Sequence, residues 1–264
     1  MTLGPAILFC PADRPDRFEK AARAADAVIL DLEDAVAAAD RPAARAYVAA
    51  STLDPASTIV RVNAVDTVEH ALDLETLSGA PFRTLMLAKA ESAAQLDHLH
   101  EADYSVIALC ETAAGIENVS EIARHPAVVA LMWGAEDLIV SMAGRSSRFT
   151  DGRYRDVARY ARSRLLVAAA AAGKDAIDAV HVDIADVAGL RAESEDAAQS
   201  GFAATACIHP AQANVIREAY GVGFEEREWA EAVLAEARIA PGVFRFRGRM
   251  IDEPILRQAR RIVG

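Results

Sequence analysis

The sequence predicts an α/β protein, a (β/α)8 barrel with a C-terminal helical extension, and three observations carry that prediction. Short apolar runs recur eight times, helix-forming segments separate them, and the runs are near-continuous and not alternating in polarity. Strand then helix, repeated, indicates a parallel sheet. Strands that are apolar throughout indicate a sheet covered on both faces, and eight such units are what closure into a barrel needs. An open doubly wound sheet is the competing architecture, and periodicity alone does not separate the two.

In chain order the strand candidates are Ile7–Cys10, Ala27–Leu32, Thr58–Val62, Thr84–Leu87, Ser105–Cys110, Val128–Trp133, Ala179–Asp183 and Thr205–Ile208. The segments Arg17–Ala25, Arg41–Ala50, Thr67–Leu77, Ala93–Glu101, Asp156–Ala172, Val187–Gln199 and Ala211–Tyr220 are rich in Ala, Leu, Glu and Arg, the strong helix formers. Beyond the eighth unit, Glu225–Arg238 and Pro254–Ile262 carry two further helical patterns, joined by the Gly- and Arg-containing stretch Pro241–Met250. The chain is therefore expected to divide into a catalytic barrel over residues 1–220 and an extension over 221–264, packed on its own barrel or across a neighbouring subunit.

Composition narrows the function. The chain has 264 residues, 53% of them hydrophobic, and 28 Lys and Arg against 39 Asp and Glu, a net charge of −11. Such a chain fills a core and is not disordered. Its acidic balance repels nucleic-acid backbones and anionic membranes, so neither is an expected partner. No apolar run approaches the roughly 18 residues of a membrane span, and Ile7-Leu8-Phe9-Cys10 is too short for a signal-peptide core, so a cytoplasmic location is expected. Cys10, Cys110 and Cys207 are odd in number and embedded in apolar stretches, which predicts buried thiols and neither a disulfide framework nor a zinc site.

In a parallel α/β barrel the active site forms at the carboxyl ends of the strands. There the sequence places Asp31-Leu32-Glu33-Asp34, Arg61-Val62-Asn63, Lys89, Glu111, Gly134-Ala135-Glu136-Asp137, Asp183 and His209-Pro210. Glu111 and Asp137 are 26 residues apart, about one βα unit, and so can sit side by side as two oxygen ligands. Two hard donors with positions left for water and substrate suit Mg2+, and no His/Cys grouping supports zinc or iron. Any one of these acids alone reads equally well as a helix cap or first-turn carboxylate; acids on successive strand ends favour a site. Arg61 would aim its guanidinium into the mouth, to hold a carboxylate or the developing oxyanion of a thioester, the competing reading being a salt bridge to Asp34 or Glu33. His209 reads as a hydrogen-bonded rim residue and His181 as a mid-strand core residue. Arg145, Arg148, Arg153, Arg155, Arg159, Arg162 and Arg164 read as a solvated, ion-paired face, with phosphate contact as the alternative. No Walker A, G-x-G-x-x-G or G-x-S-x-G pattern supports nucleotide hydrolysis, Rossmann redox chemistry or serine hydrolysis.

Six motifs in order carry a family resemblance: Leu8 to Phe18 (LFCPADRPDRF), Val28 to Val36 (VILDLEDAV), Arg61-Val62-Asn63, Trp133 to Leu138 (WGAEDL), Ile208 to Gln212 (IHPAQ) and Gly248 to Asp252 (GRMID). The sequence resembles the citrate lyase β-subunit-like (CitE-like) group of the HpcH/HpaI aldolase family. The resemblance implies a barrel, usually a homotrimer, that makes or breaks a carbon–carbon bond next to a coenzyme A thioester with the help of Mg2+. It makes Glu111 and Asp137 the metal ligands and puts Arg61 on the substrate carbonyl or enolate oxygen. Asp34 supports the metal's water shell, and Asp252 reaches into a neighbouring subunit's site as acid/base. Arg14, Glu33, Ala135 and Glu136 join Arg61 as substrate-binding residues. Three departures are present: Ala113 and Ala88 where the family commonly has Pro, and Ala203-Ala204-Thr205-Ala206 where a Lys usually precedes Ile-His-Pro. They place the chain in a stand-alone subgroup and not in a citrate lyase complex. The expected reaction is cleavage of a β-hydroxyacyl-CoA such as citramalyl-, malyl- or 3-hydroxy-3-methylglutaryl-CoA to acetyl-CoA plus a keto acid, or the reverse condensation. The alternatives are an aldolase acting on free pyruvate-type substrates, a hydrolase that follows condensation, and a non-catalytic barrel subunit.

Overall fold

The structure, a computed structural model, describes residues 3–240 and 242–264. Its strands are β1 (Ala6–Pro11), β2 (Ala27–Asp31), β3 (Thr58–Val62), β4 (Thr84–Leu87), β5 (Ser105–Cys110), β6 (Val128–Trp133), β7 (Asp175–Asp178) and β8 (Ala204–Cys207). Each pairs in parallel with its neighbours in sequence, and β8 returns to β1, so the sheet closes into the barrel that the sequence predicts. The helices of this part are α1 (Phe18–Ala24), α2 (Arg41–Ala49), α3 (Val68–Ser78), α4 (Asp97–Glu101), α5 (Ala113–Glu117), α6 (Val119–Arg124), α7 (Ala135–Ser141), α8 (Asp156–Ala171), α9 (Val187–Ser200) and α10 (Pro210–Tyr220). The short helices α5, α6 and α7 are absent from the sequence prediction, because five to seven residues are too few to display a helical period.

The seventh strand corrects the sequence reading. It ends at Asp178 and does not occupy Ala179–Asp183. Trp133 Nε1 donates to Asp178 Oδ1 at 2.6 Å and Arg162 grips the same carboxylate, which fixes where pairing stops. Past it, the carbonyl of His181 accepts from Gln212 Nε2 at 2.9 Å and is drawn away from the sheet. Asp183 therefore lies on an exposed turn, accepting from the Ala185 amide, and does not cap a strand. His181 is a buried loop residue, 2.8 Å from Glu193, and not a mid-strand one.

Inside the barrel, alternate residues of the strands make one core: Ile7, Ala27, Ile29, Ile59, Met86, Ile107, Leu109, Ala130, Met132, Ile177, Ala204 and Ala206. Side chains on a strand alternate between faces, so the next inward position past each of these reaches the mouth.

The chain divides into two compact units, Met1–Ala219 and Tyr220–Gly264. The second contains α11 (Phe224–Ile239), the antiparallel pair β9 (Phe244–Phe246) and β10 (Arg249–Ile251), and α12 (Glu253–Val263). The hairpin lies in the stretch that the sequence reading leaves as a connection; Pro241 of that stretch lies outside the described residues. Its two-residue loop, Arg247-Gly248, has positive φ at both positions (45° and 82°), the conformation that matches the twist of a tight hairpin. Ala230, Val233, Ile251, Leu256 and Ala259 form the core of this unit. Among the described residues, no helix is long and apolar enough to cross a membrane.

Candidate active site

Strand alternation builds the mouth. Phe9 follows Ile7, Asp31 follows Ala27 and Ile29, Arg61 follows Ile59, and Glu111 follows Ile107 and Leu109, so an aromatic ring and three charges surmount the apolar core. They line a cavity of about 400 Å³ together with Asp34, Ala135, Glu136 and Asp137. Met132, Val180, Val182 and Ile208 supply an apolar wall.

Arg61 is 9% exposed and held from both sides. Its Nε and Nη2 donate to the two Asp31 oxygens at 2.7 and 2.6 Å, Nη1 lies 3.2 Å from Glu33 Oε2, and the guanidinium sits 5.0 Å from the Phe9 ring centre. Asp31 and Arg61 are register partners on β2 and β3, which explains the fork-to-fork geometry. The salt bridge foreseen for Arg61 thus exists to Glu33; the main partner is Asp31 and not Asp34. Burial disfavours the charge on Arg61, but Asp31 and Glu33 outweigh it, and the guanidinium is held charged above its usual range.

Lys89 follows β4 with φ 52°, a left-handed conformation that costs a non-glycine residue about 1–3 kcal/mol. This turns its amide toward Glu111, to whose Oε1 it donates at 3.2 Å. Its ammonium contacts Glu33, and lies 3.3 Å from Asp34 Oδ2 and 3.8 Å from Asp137 Oδ1. Glu111 itself is 3% exposed. Burial, then the charge of Asp137, push its pKa up to about 8. Burial likewise holds Glu33 above the usual carboxylate range against the pull of Arg61 and Lys89. Asp137 and Glu136 lie in the first turn of α7, where the helix dipole favours negative charge. Glu136 is exposed and accepts from Ser147 Oγ at 2.6 Å.

The ends of β2 and β3 are pinned from outside. Asp73 on α3, fully buried, accepts from Arg45 Nε of α2 at 2.8 Å and from the Asn63 amide and Nδ2 at 3.0 and 2.8 Å. Asn63 Nδ2 also reaches the Leu32 carbonyl at 3.1 Å. The sequence places Asp31 and Lys89 at strand ends but gives neither a role in the site, and Asp73 goes unmentioned there. The equal height of neighbouring strand ends is the signal that pairs Asp31 with Arg61; nothing in the spacing points to Asp73.

The remaining sequence candidates lie elsewhere. Glu33 is buried behind Arg61 and Lys89 and does not line the cavity. Arg14 does not line it either, and pairs with Asp16 through two 3.0 Å hydrogen bonds. Asp252 belongs to the second unit and caps α12, accepting from the Ile255 amide at 3.4 Å. His209 is exposed, and its Nδ1 accepts from the Ala211 amide at 3.2 Å. The arginine series is largely engaged: Arg148 with Glu193, Arg153 with Asp151, Arg159 with Asp156, Arg162 with Asp178 and Asp196, and Arg164 with the Ile116 and Glu117 carbonyls.

The donor set fits a hard divalent cation. Around the mouth the acids Asp31, Glu33, Asp34, Glu111 and Asp137 outnumber the cations Arg61 and Lys89 that pair with them, with Asp31, Glu33 and Glu111 buried and Asp34 and Asp137 nearer the solvent. Among the described residues no three His, Cys, Asp or Glu side chains converge as a ready-made cage, so Glu111 and Asp137 would leave further positions to water and substrate oxygens. Space is reserved beside Glu111: a Cβ at Gly134 would lie 2.7 Å from its Oε2.

Comparison with known proteins agrees with this architecture. Residues 6–210 match the family model described as HpcH/HpaI aldolase/citrate lyase. The chain is 55% identical to the citrate lyase subunit beta-like protein of Mycobacterium tuberculosis over 97% of its own length and 93% of the relative's. It is 33% identical to the human mitochondrial citramalyl-CoA lyase, over 98% of this chain and 84% of the other. The crystal structure of protein CitE from Mycobacterium tuberculosis in complex with magnesium, acetoacetate and coenzyme A superposes with a TM-score of 0.96 at 54% identity, covering 98% of both chains. With a closed barrel, an acidic mouth and a family match over most of its length, the chain belongs to the HpcH/HpaI aldolase/citrate lyase family, and is an enzyme of the carbon–carbon lyase class.

Proposed function

We propose that the chain cleaves a β-hydroxyacyl-CoA, such as citramalyl-, malyl- or 3-hydroxy-3-methylglutaryl-CoA, to acetyl-CoA and a keto acid, and forms the same bond in reverse, with Mg2+ held by Glu111 and Asp137. The observation that carries this reading is the shared cavity: two carboxylates that lack a full complement of cations stand beside an immobilised arginine and an apolar wall. A complex of a 54% identical protein with magnesium, acetoacetate and coenzyme A supports it, as does the name citramalyl-CoA lyase of a relative.

Bound there, Mg2+ supplies a Lewis acid that makes a hydroxyl easier to deprotonate. Arg61, locked on Asp31, offsets the negative charge that grows on the thioester oxygen as the carbon–carbon bond breaks, at no reorganisation cost. Asp34, exposed at the rim, would support the water shell of the bound metal. Met132, Val180 and Ile208 keep bulk water from the carbanion. Asp252, delivered from the second unit of a neighbouring copy in a homotrimer, takes the hydroxyl proton and returns one to carbon.

Glu111→Gln and Asp137→Asn are each expected to lower Mg2+-dependent turnover by at least about a hundredfold. Asp252→Asn preserves an oxygen for capping α12 and should keep Mg2+ binding and stability while losing about 10²- to 10⁴-fold in kcat. Steady-state kinetics beside calorimetric Mg2+ titration separates these effects; full activity in any of the three contradicts its assigned role.

A further inference from the structure

We propose that Lys89 is the resident counter-ion of the acidic mouth: its ammonium occupies carboxylates that an incoming divalent cation must share, and so sets the affinity for that cation. The inference rests on reading the mouth as a Mg2+ site.

Its geometry goes beyond that of an ordinary ion pair. One ammonium touches Glu33, lies 3.3 Å from Asp34 and 3.8 Å from Asp137, while the amide of the same residue donates to Glu111 at 3.2 Å. Both proposed metal ligands are therefore contacted by one residue, one through its side chain and the other through its backbone. The backbone φ of 52° makes this double reach possible, since it aims the amide at Glu111 while the side chain crosses to the loop after β2 and to α7. A lysine serving Glu33 alone has no need of such a conformation.

The two cations of the mouth differ in the way this role requires. Arg61 is nine-tenths buried and clamped on both Asp31 oxygens, a rigid fork that stays in place. The Lys89 side chain is about a third exposed, a point charge on a flexible stem able to swing toward solvent. With the ammonium present, the carboxylates of the unloaded mouth are held together against their own repulsion. A divalent cation arriving at Glu111 and Asp137 meets a positive charge within a few ångströms, and either displaces it from Asp137 or binds against it. Lys89 thus stabilises the unloaded enzyme and weakens metal binding, which keeps the site exchangeable.

The test uses Lys89→Gln, Lys89→Met, which keeps the aliphatic stem should the amide disturb the loop, and Lys89→Arg as the charge-retaining control. Mg2+ affinity is measured by calorimetry and thermal unfolding is followed in EDTA and in Mg2+, so neither readout depends on turnover. Removing the charge should tighten Mg2+ binding by about tenfold or more and lower the unfolding temperature in EDTA, with Mg2+ recovering more stability than in wild type. Lys89→Arg should stay near wild type. Equal or weaker Mg2+ binding in both neutral variants overturns the proposal, since Lys89 would then position ligands without competing for them. Glu111→Gln in the same titration tells the two failures apart. If it leaves wild-type binding intact, the metal reading fails and Lys89's role with it; if it abolishes binding while the neutral Lys89 variants bind no tighter, only the role of Lys89 is lost.

Discussion

Gly134 follows β6 and packs against Glu111. An added Cβ would lie 2.7 Å from Glu111 Oε2 and 2.9 Å from its Cβ, closer than such atoms approach in folded proteins. Gly134→Ala should therefore push the Glu111 carboxylate aside, costing about 1–3 kcal/mol of stability and weakening Mg2+ binding by at least about tenfold. Paired denaturation and calorimetric titration check this; a variant with wild-type affinity means that Glu111 can move without loss. At this scale the sequence is informative about residue type and height in the barrel. Glu111, Asp137, Asp34 and Arg61 fall at strand ends by spacing alone, and the structure gathers them into one cavity. It is uninformative about angles. That Arg61 leans on Asp31, and that Lys89 adopts a left-handed backbone, depend on neighbours 30 and 22 residues away in sequence.

Among the elements, α2 and α3 serve the site without entering it. Asp73 accepts hydrogen bonds from Arg45 and twice from Asn63, and so fixes the end of the strand that carries Arg61. Asp73→Ala would leave Arg45 with Glu69 as its remaining partner and strand its Nε and the Asn63 backbone amide, for an expected loss of about 1–3 kcal/mol in chemical denaturation. A loss below 1 kcal/mol would mean that water replaces the carboxylate. Strands β3, β4, β5 and β6 have the limits that the sequence predicts, short β-rich runs broken off at or just before Asn63, Lys89, Glu111 and Gly134. The seventh misleads for the opposite reason. Asp175 and Asp178 bracket only two apolar residues, Ala176 and Ile177, whereas the following Ala179-Val180-His181-Val182 looks more strand-like. What decides is the grip of Trp133 and Arg162 on Asp178, two partners from other elements that no local pattern reveals.

Across the whole molecule, all three cysteines are free and buried. Burial pushes the thiol of Cys10 up to about 11 and that of Cys207 up to about 12, and raises Cys110 further still. Since the thiolate is the reactive form, native protein at about pH 8 should react with a disulfide reagent at most about a hundredth as fast as a free thiol, with all three residues titrating once it is unfolded in guanidinium. Rapid labelling of native protein would expose an opening motion that the static barrel lacks. The division into a barrel and a smaller C-terminal unit is visible in the sequence as chain left over after the eighth repeat. The β9–β10 hairpin inside that remainder is not, since two three-residue strands around Arg247-Gly248 fall below any periodic signal.

Release of acetyl-CoA tests most directly whether this mouth performs the proposed metal-dependent carbon–carbon cleavage of a coenzyme A thioester. Citramalyl-, malyl- and 3-hydroxy-3-methylglutaryl-CoA would be offered to wild type and Glu111→Ala, each with Mg2+ and with EDTA. Cleavage of one member by wild type in Mg2+, abolished by EDTA and by the substitution, is the predicted result. Acetyl-CoA release that survives both EDTA and loss of Glu111, or no release from any thioester by protein that binds Mg2+, would contradict it.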